Sequence, residues 1–259
     1  MSSIKKLLLC LVMFISAETI ACTCGRIPIL SNYQLSEFIA SAKILKVEKS
    51  NDEGYHDITI NLIKVYKGAL ITKLKVRSLY GSSCSFLPSV NTTWLIFASK
   101  DDRGFLSFGF CSGSEQIHPD VKIITYPNSG KKHLDLKLEV LSFLKKYKIS
   151  AINQFNLKMN DFNVSQDGLP GYTERNRFAL YEIAVNQDLS IGNIRTLKGF
   201  NNKDLSKELI GRLRDKLKIE TENVNVIPEK TKIVLAYFYH SAEGGRPSFV
   251  SNGDYAWYR

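Results

Sequence analysis

His56-Asp57-Ile58-Thr59-Ile60-Asn61-Leu62-Ile63-Lys64-Val65-Tyr66-Lys67 is the most regular stretch of the chain. Ile58, Ile60 and Leu62, then Val65, fall at the alternating spacing of a half-buried strand. Working outward, residues 43–48, 74–79, 94–98 and 104–110 give four shorter strand-like runs. Turn-forming clusters separate them: Asn51-Asp52-Glu53-Gly54, Lys67-Gly68, Gly81-Ser82-Ser83 and Asp101-Asp102-Arg103-Gly104. Residues 34–42, with Leu35, Phe38, Ile39 and Ala42 on one helical face, read as a short amphipathic helix ahead of them. Five short strands behind a helix predict a small closed or nearly closed barrel. A second helix over 133–147, with Leu134, Leu138, Leu141 and Leu144 at helical spacing, is expected to pack on it, with Lys145-Lys146 complementing the dipole of its last turn.

Beyond residue 150 the pattern changes. Residues 177–185 form a strand, Asn186-Gln187-Asp188 a tight turn, and residues 190–198 the returning strand. Leu205, Leu209, Leu213 and Leu217 lie four apart within a helix over 201–218, and 231–239 is a final strand rich in β-branched and aromatic residues. That is a β-β-α-β unit, a small antiparallel sheet with one face under a single helix. The fold class is therefore α+β. It divides into a signal segment (1–21), a barrel domain with its C-terminal helix (22–148) and a second α+β domain (149–259).

The chain has 259 residues, 44% apolar and 23% charged, with 35 Lys+Arg against 25 Asp+Glu. This composition excludes a disordered or fibrous protein. The basic surplus is diffuse, slightly denser at Lys131-Lys132 and Lys145-Lys146-Lys148. A nucleic-acid binder concentrates such charge on one face among aromatic stacking positions, so no nucleic-acid partner is expected. Lys5-Lys6 followed by an apolar run to Ile15 is too short to span a bilayer and reads as a secretory signal, cut after Ala21. No later stretch reads as a transmembrane span. The mature chain then begins at Cys22 and is exported: extracellular, periplasmic or on the outer surface. Cys22, Cys24, Cys84 and Cys111 remain, and two disulfides are the default for four cysteines in an oxidising compartment. A Cys22–Cys24 ring has poor geometry, leaving Cys22–Cys84 with Cys24–Cys111, or the crossed alternative. Four sulfurs also suit zinc, but the paired Cys-x-x-Cys spacing is missing.

Catalytic patterns are absent. His56, His118, His133 and His240 belong to no zinc motif and adjoin no nucleophile signature. Ser82, Ser83 and Ser112 flank cysteines without a nucleophile elbow. Gly244-Gly245 lacks the strand-to-helix context of a phosphate loop. Asn91-Thr92-Thr93 and Asn163-Val164-Ser165 fit glycosylation sequons. Neither an enzyme nor a bound cofactor is expected.

Cys22-Thr23-Cys24 directly after a signal cut, with further cysteines at 84 and 111, resembles the N-terminal domain of the tissue inhibitors of metalloproteinases. Val65-Tyr66-Lys67-Gly68, Trp94-Leu95-Ile96-Phe97-Ala98 and Cys111-Ser112-Gly113 are similar to what bacterial members show at these places. The resemblance covers about residues 22–115. It implies a netrin-like, OB-type five-stranded barrel with flanking helices, and the pairs Cys22–Cys84 and Cys24–Cys111. It also implies that the α-amino group and carbonyl of Cys22 clasp a protease's zinc. Thr23 then enters the specificity pocket, and Ser82-Ser83 beside Cys84 support the edge. The chemistry is sound: an α-amine with pKa near 7.7–8 supplies a neutral donor near neutral pH, and catalytic zinc keeps an open position. Gly25-Arg26 stands where the family has Val-Pro, and the family's third disulfide is absent.

The second half is similar to the C-terminal domain of TonB-type proteins over about 155–240. The match rests on 181–188, the 205–217 helix and Ile227-Pro228 before the last strand. It implies an envelope interaction module that pairs an edge strand with an extended peptide. Two functions follow. One is a secreted metalloendopeptidase inhibitor whose partner is a zinc metalloprotease. The other is a non-enzymatic envelope protein that binds other proteins and has no inhibitory activity, in one variant a lipoprotein acylated at Cys22 and tethered to the membrane surface.

Overall fold

The computed structural model describes residues 24–78, 85–117, 129–150, 152–165, 167–221 and 227–254. The expected signal segment, Cys22, Thr23, Ser82, Ser83, Cys84, His118 and the aromatic tail from Tyr255 lie outside them. The chain is a mixed α+β protein built on a closed β-barrel. A short helix, α1 (Ile29–Leu35), leads into β1 (Phe38–Lys49), β2 (Tyr55–Lys67), β3 (Lys73–Arg77), β4 (Thr93–Lys100), β5 (Leu106–Gly109) and β6 (Glu115–Ile117). The strand order is β1-β2-β3-β5-β4, and β4 pairs back onto β1 to close five strands, with β6 added outside β4. β3 and β5 run parallel; the other pairs are antiparallel.

The helix expected over 34–42 is overturned: helix occupies Ile29–Leu35, and β1 starts at Phe38. The reason lies in two-sided burial. Phe38, Ala40, Ala42 and Ile44 point into the barrel, where they meet Ile58, Ile60, Val76 and Ile96. Ile39 faces outward into a second apolar cluster, and Ser41 is buried within hydrogen-bond distance (3.4 Å) of the Tyr66 hydroxyl. With both faces covered, the period of two vanishes from the sequence and an accidental helical spacing remains. Leu35, assigned to the buried face of that helix, is 63% exposed.

Helix α2 (Ser129–Lys146) follows, then β7 (Lys158–Asn160), a single turn α3 (Phe162–Ser165), β8 (Phe178–Val185), β9 (Ile191–Lys198), α4 (Lys203–Lys216), β10 (Lys218–Glu220), β11 (Thr231–His240) and β12 (Phe249–Ser251). The second sheet has the order β12-β11-β8-β9, and β7 pairs with β10 separately. Asn202 caps α4 by accepting from the backbone N–H groups of Asp204 and Leu205, and Arg214 and Lys216 occupy its last turn. Leu205, Leu209 and Leu213 are fully buried against Tyr181, Ile183, Ile233 and Tyr237.

The expectation of a sheet with one buried face is also corrected. Phe178, Leu180, Val234, Ala236 and Phe238 alternate with those residues and enter the cluster that holds Leu134, Val140, Leu141 and Leu144 of α2. The same cluster takes in Tyr66, Leu95 and Phe97 of the barrel and Ile29, Leu30 and Tyr33 of α1. Helix α2 is thus an apolar layer between barrel and sheet, and the core runs unbroken across residue 150. Among the described residues, no helix is long and apolar enough to cross a membrane.

Candidate functional site: the disulfide edge of the barrel

The described chain opens at Cys24, which is disulfide-bonded to Cys111 with their Cα atoms 5.2 Å apart. Of the two pairings the spacing left open, this is the member implied by the resemblance to tissue inhibitors. Both cysteines are exposed, as are Gly25 and Arg26. Behind them a second tie is built from α1. Asn32, only 5% exposed, donates from Nδ2 to the carbonyl of Ser112 at 3.0 Å, and its Oδ1 accepts from Ser36 Oγ at 3.5 Å. Gly113 makes this close approach feasible. Its φ is +74°, and a Cβ placed there stands 2.4 Å from Asn32 Nδ2.

The turn after β5 is fastened to the barrel as well. Ser112 Oγ donates to the Gly109 carbonyl, and Ser114 Oγ accepts from the Phe97 backbone N–H, each at 2.8 Å. Beside it lies an aromatic shelf. Phe86 packs edge-on against Trp94 and Phe108, with ring centroids 5.4 and 6.0 Å apart, and tilts toward Phe110 at 6.4 Å. Phe86 N–H donates to Ser78 Oγ at 3.2 Å, so the chain on either side of residues 79–84 is joined at the barrel wall. Phe110 and Leu87 stay 48% and 41% exposed. The edge therefore carries an exposed disulfide next to the exposed Phe110, with exposed Leu87 following the anchored Phe86 in the chain.

Of the residues read from sequence as the inhibitory edge, Cys24 is placed here and meets Cys111. Cys22, Thr23, Ser82, Ser83 and Cys84 fall outside the described residues. Asn32, Phe86, Leu87 and Phe110 were not legible as site residues; Gly113 was visible only as part of the Cys111-Ser112-Gly113 motif. No group of three or more metal-ligating side chains with suitable geometry exists among the described residues. The chain matches no family model, and no curated protein matches it.

Two further polar clusters stand out among the described residues. At the turns after β1 and β4, Lys75 Nζ bridges Asp57 at 2.7 Å and Asp52 at 2.9 Å, and its hydrogen bonds hold both carboxyls below their ordinary range. Asp101 is lowered too: burial opposes this, but donors from Tyr55, Ser107 and the backbone of Arg103 and Phe105 outweigh it. His133 Nε2 is 3.3 Å from buried Asp254, while His240 Nε2 is 2.9 Å from Ser251 Oγ and its ring stacks on Phe249. Burial pushes His240 down to about 4. The charges of Asp254 and His133 also act on His240, in opposite directions, so the two histidines and Asp254 form one local cluster.

Proposed function

We propose that this is an exported, protein-binding barrel whose disulfide edge engages a zinc metalloendopeptidase, with the α-amino group and carbonyl of Cys22 taking the open position on the protease zinc. The observation that carries the reading is the anchored edge: Cys24 cross-linked to Cys111, with Asn32 clamping the same turn from inside. Rigid anchoring removes the ordering cost that a loose terminus pays on binding. Supporting it are the closed barrel with parallel β3 and β5, an order suited to an OB-type assignment, and the exposed Phe110 and Leu87 as apolar contact surface. In this reading Thr23 enters the protease's specificity pocket, Ser82 and Ser83 flank it, and Cys22–Cys84 is the second bridge. The test is inhibition of a panel of zinc endopeptidases by the exported protein and by a form with one alanine added before Cys22. Inhibition by the first and not by the second is expected. Equal effects from both, or no inhibition by either, overturn the proposal.

A second reading, an envelope interaction module, is favoured by one observation: β9 is an eight-residue strand at the edge of its sheet. Pairing of an extended peptide along β9 fits a TonB-like assignment of this region. This reading expects no protease inhibition, peptide binding that an alanine added before Cys22 leaves unchanged, and loss of that binding when proline replaces the exposed edge-strand residue Thr196.

A further inference from the structure

A groove of about 450 Å³ lies between α1, residues 152–161 and β11. Ile29, Leu30, Leu157, Met159, Val234 and Phe238 provide its apolar walls. Into it reaches Asp161, a partly buried carboxylate. Its Oδ1 accepts from Asn252 Nδ2 at 2.8 Å and its Oδ2 from the Tyr237 hydroxyl at 3.3 Å. A carboxylate has about four acceptor positions, so acceptor capacity remains. Among the described residues Asp161 has no ion pair, in a chain where Lys+Arg outnumber Asp+Glu 35 to 25. An ionised carboxylate held among apolar side chains without a cation is costly. Burial indeed raises its pKa, although Asn252 and Tyr237 both pull it down. The other polar side chains of the groove, Ser31, Gln34, Asn153, Asn156 and Asn252, are uncharged. Tyr237 is the titratable group facing Asp161, and burial holds its own pKa well above the ordinary tyrosine range.

We infer that this groove binds a small organic cation, an apolar body carrying a protonated amine, with the ammonium seated on Asp161. The size fits a small ligand. An ammonium supplies the missing counter-charge and donates to the open acceptor positions. A neutral alcohol can donate one hydrogen bond there but supplies no counter-charge, and an anion meets repulsion. The groove shares α1 with the Cys24–Cys111 edge, using Ile29 and Leu30 where the edge uses Asn32, and the inference depends on no reading of that edge.

The test uses 4-phenylbutylamine, 4-phenylbutanol and 4-phenylbutyrate, titrated at pH 7.5 into the mature protein and followed by amide NMR shifts. A charge-assisted hydrogen bond contributes about 1.5–3 kcal/mol, so the amine should bind roughly ten- to a hundredfold tighter than the alcohol, with shifts at Leu157, Met159, Ala236 and Asn252. Asp161→Asn keeps a polar partner for Tyr237 and should bring the amine down to the alcohol's affinity. If that variant does not fold, the wild-type pH series decides. Amine affinity should fall as acidification protonates Asp161, while alcohol affinity stays level. Equal affinities for the three probes, a preference for the carboxylate, a level amine profile, or shifts outside the groove overturn the inference.

Discussion

Replacing Gly113 by alanine tests whether the inner clamp of the disulfide edge is what holds the turn. Two costs add at this position. An L-residue at φ +74° carries about 1–2 kcal/mol of left-handed strain. The new Cβ, only 2.4 Å from Asn32 Nδ2, forces that buried amide off the Ser112 carbonyl, leaving polar groups unpaired at about 1–3 kcal/mol. Gly113→Ala should therefore destabilise by about 2–5 kcal/mol. Asn32→Ala removes the colliding side chain together with the hydrogen bond and should itself cost about 1–3 kcal/mol. In the Asn32→Ala background only the backbone strain remains, so Gly113→Ala should then cost about 1–2 kcal/mol. Urea unfolding of the two single variants and the double variant measures this coupling. If Gly113→Ala costs the same in both backgrounds, the collision with Asn32 is not the constraint and the clamp argument fails.

Removing the cross-link with Cys24→Ser and Cys111→Ser unties positions 87 residues apart; with the proposed Cys22–Cys84 bridge still present the loop released is about 30 residues, worth about 3–4 kcal/mol by chain entropy, and a loss under about 1 kcal/mol in urea unfolding contradicts that account. Leu209→Ala, at a fully buried position of α4, should cost about 2–5 kcal/mol in the same assay. His240, held near 4 by burial, is neutral in the folded chain while the unfolded chain takes up a proton near the ordinary value of 6.5. Stability should therefore be intact above about pH 6.5 and drain away as pH falls toward 4, by roughly 2–3 kcal/mol, and His240→Gln should flatten that part of the pH profile. The Arg212 guanidinium beside Asp167 keeps its carboxyl at about 2. The stabilisation it gives is present above about pH 4 and lost as pH falls toward 2, and because the Asp167 side chain is 57% exposed it amounts to under about 1 kcal/mol. Carboxyl NMR of Arg212→Ala should show Asp167 titrating back near the ordinary carboxylate value.

Elements with one covered face were legible in the sequence. The leucines of α4 repeat on one stripe because its other side meets water, and β2 alternates cleanly from Ile58 to Leu62 for the same reason. Phe38–Ala42 was misread because barrel and α2 cover opposite sides of β1. The second covered face of the β8–β11 pair was missed for a related reason. Phe178, Val234 and Phe238 announce burial but not what buries them, and α2 lies far away in the sequence. The cysteines marked the edge directly. Asn32 did not, since a lone asparagine in a short helix carries no pattern; its partner Gly113 becomes informative only once the turn brings the two together. Asp161 was silent too, because burial of a carboxylate is a property of the assembled groove.

The most direct measurement is the intact mass and N-terminal sequence of the native exported protein, with and without reduction. The account predicts an unmodified chain beginning at Cys22, lighter than its reduced form by the hydrogens of two disulfides. An acyl group on that residue, a chain starting elsewhere, or free thiols at Cys22 and Cys84 contradicts it.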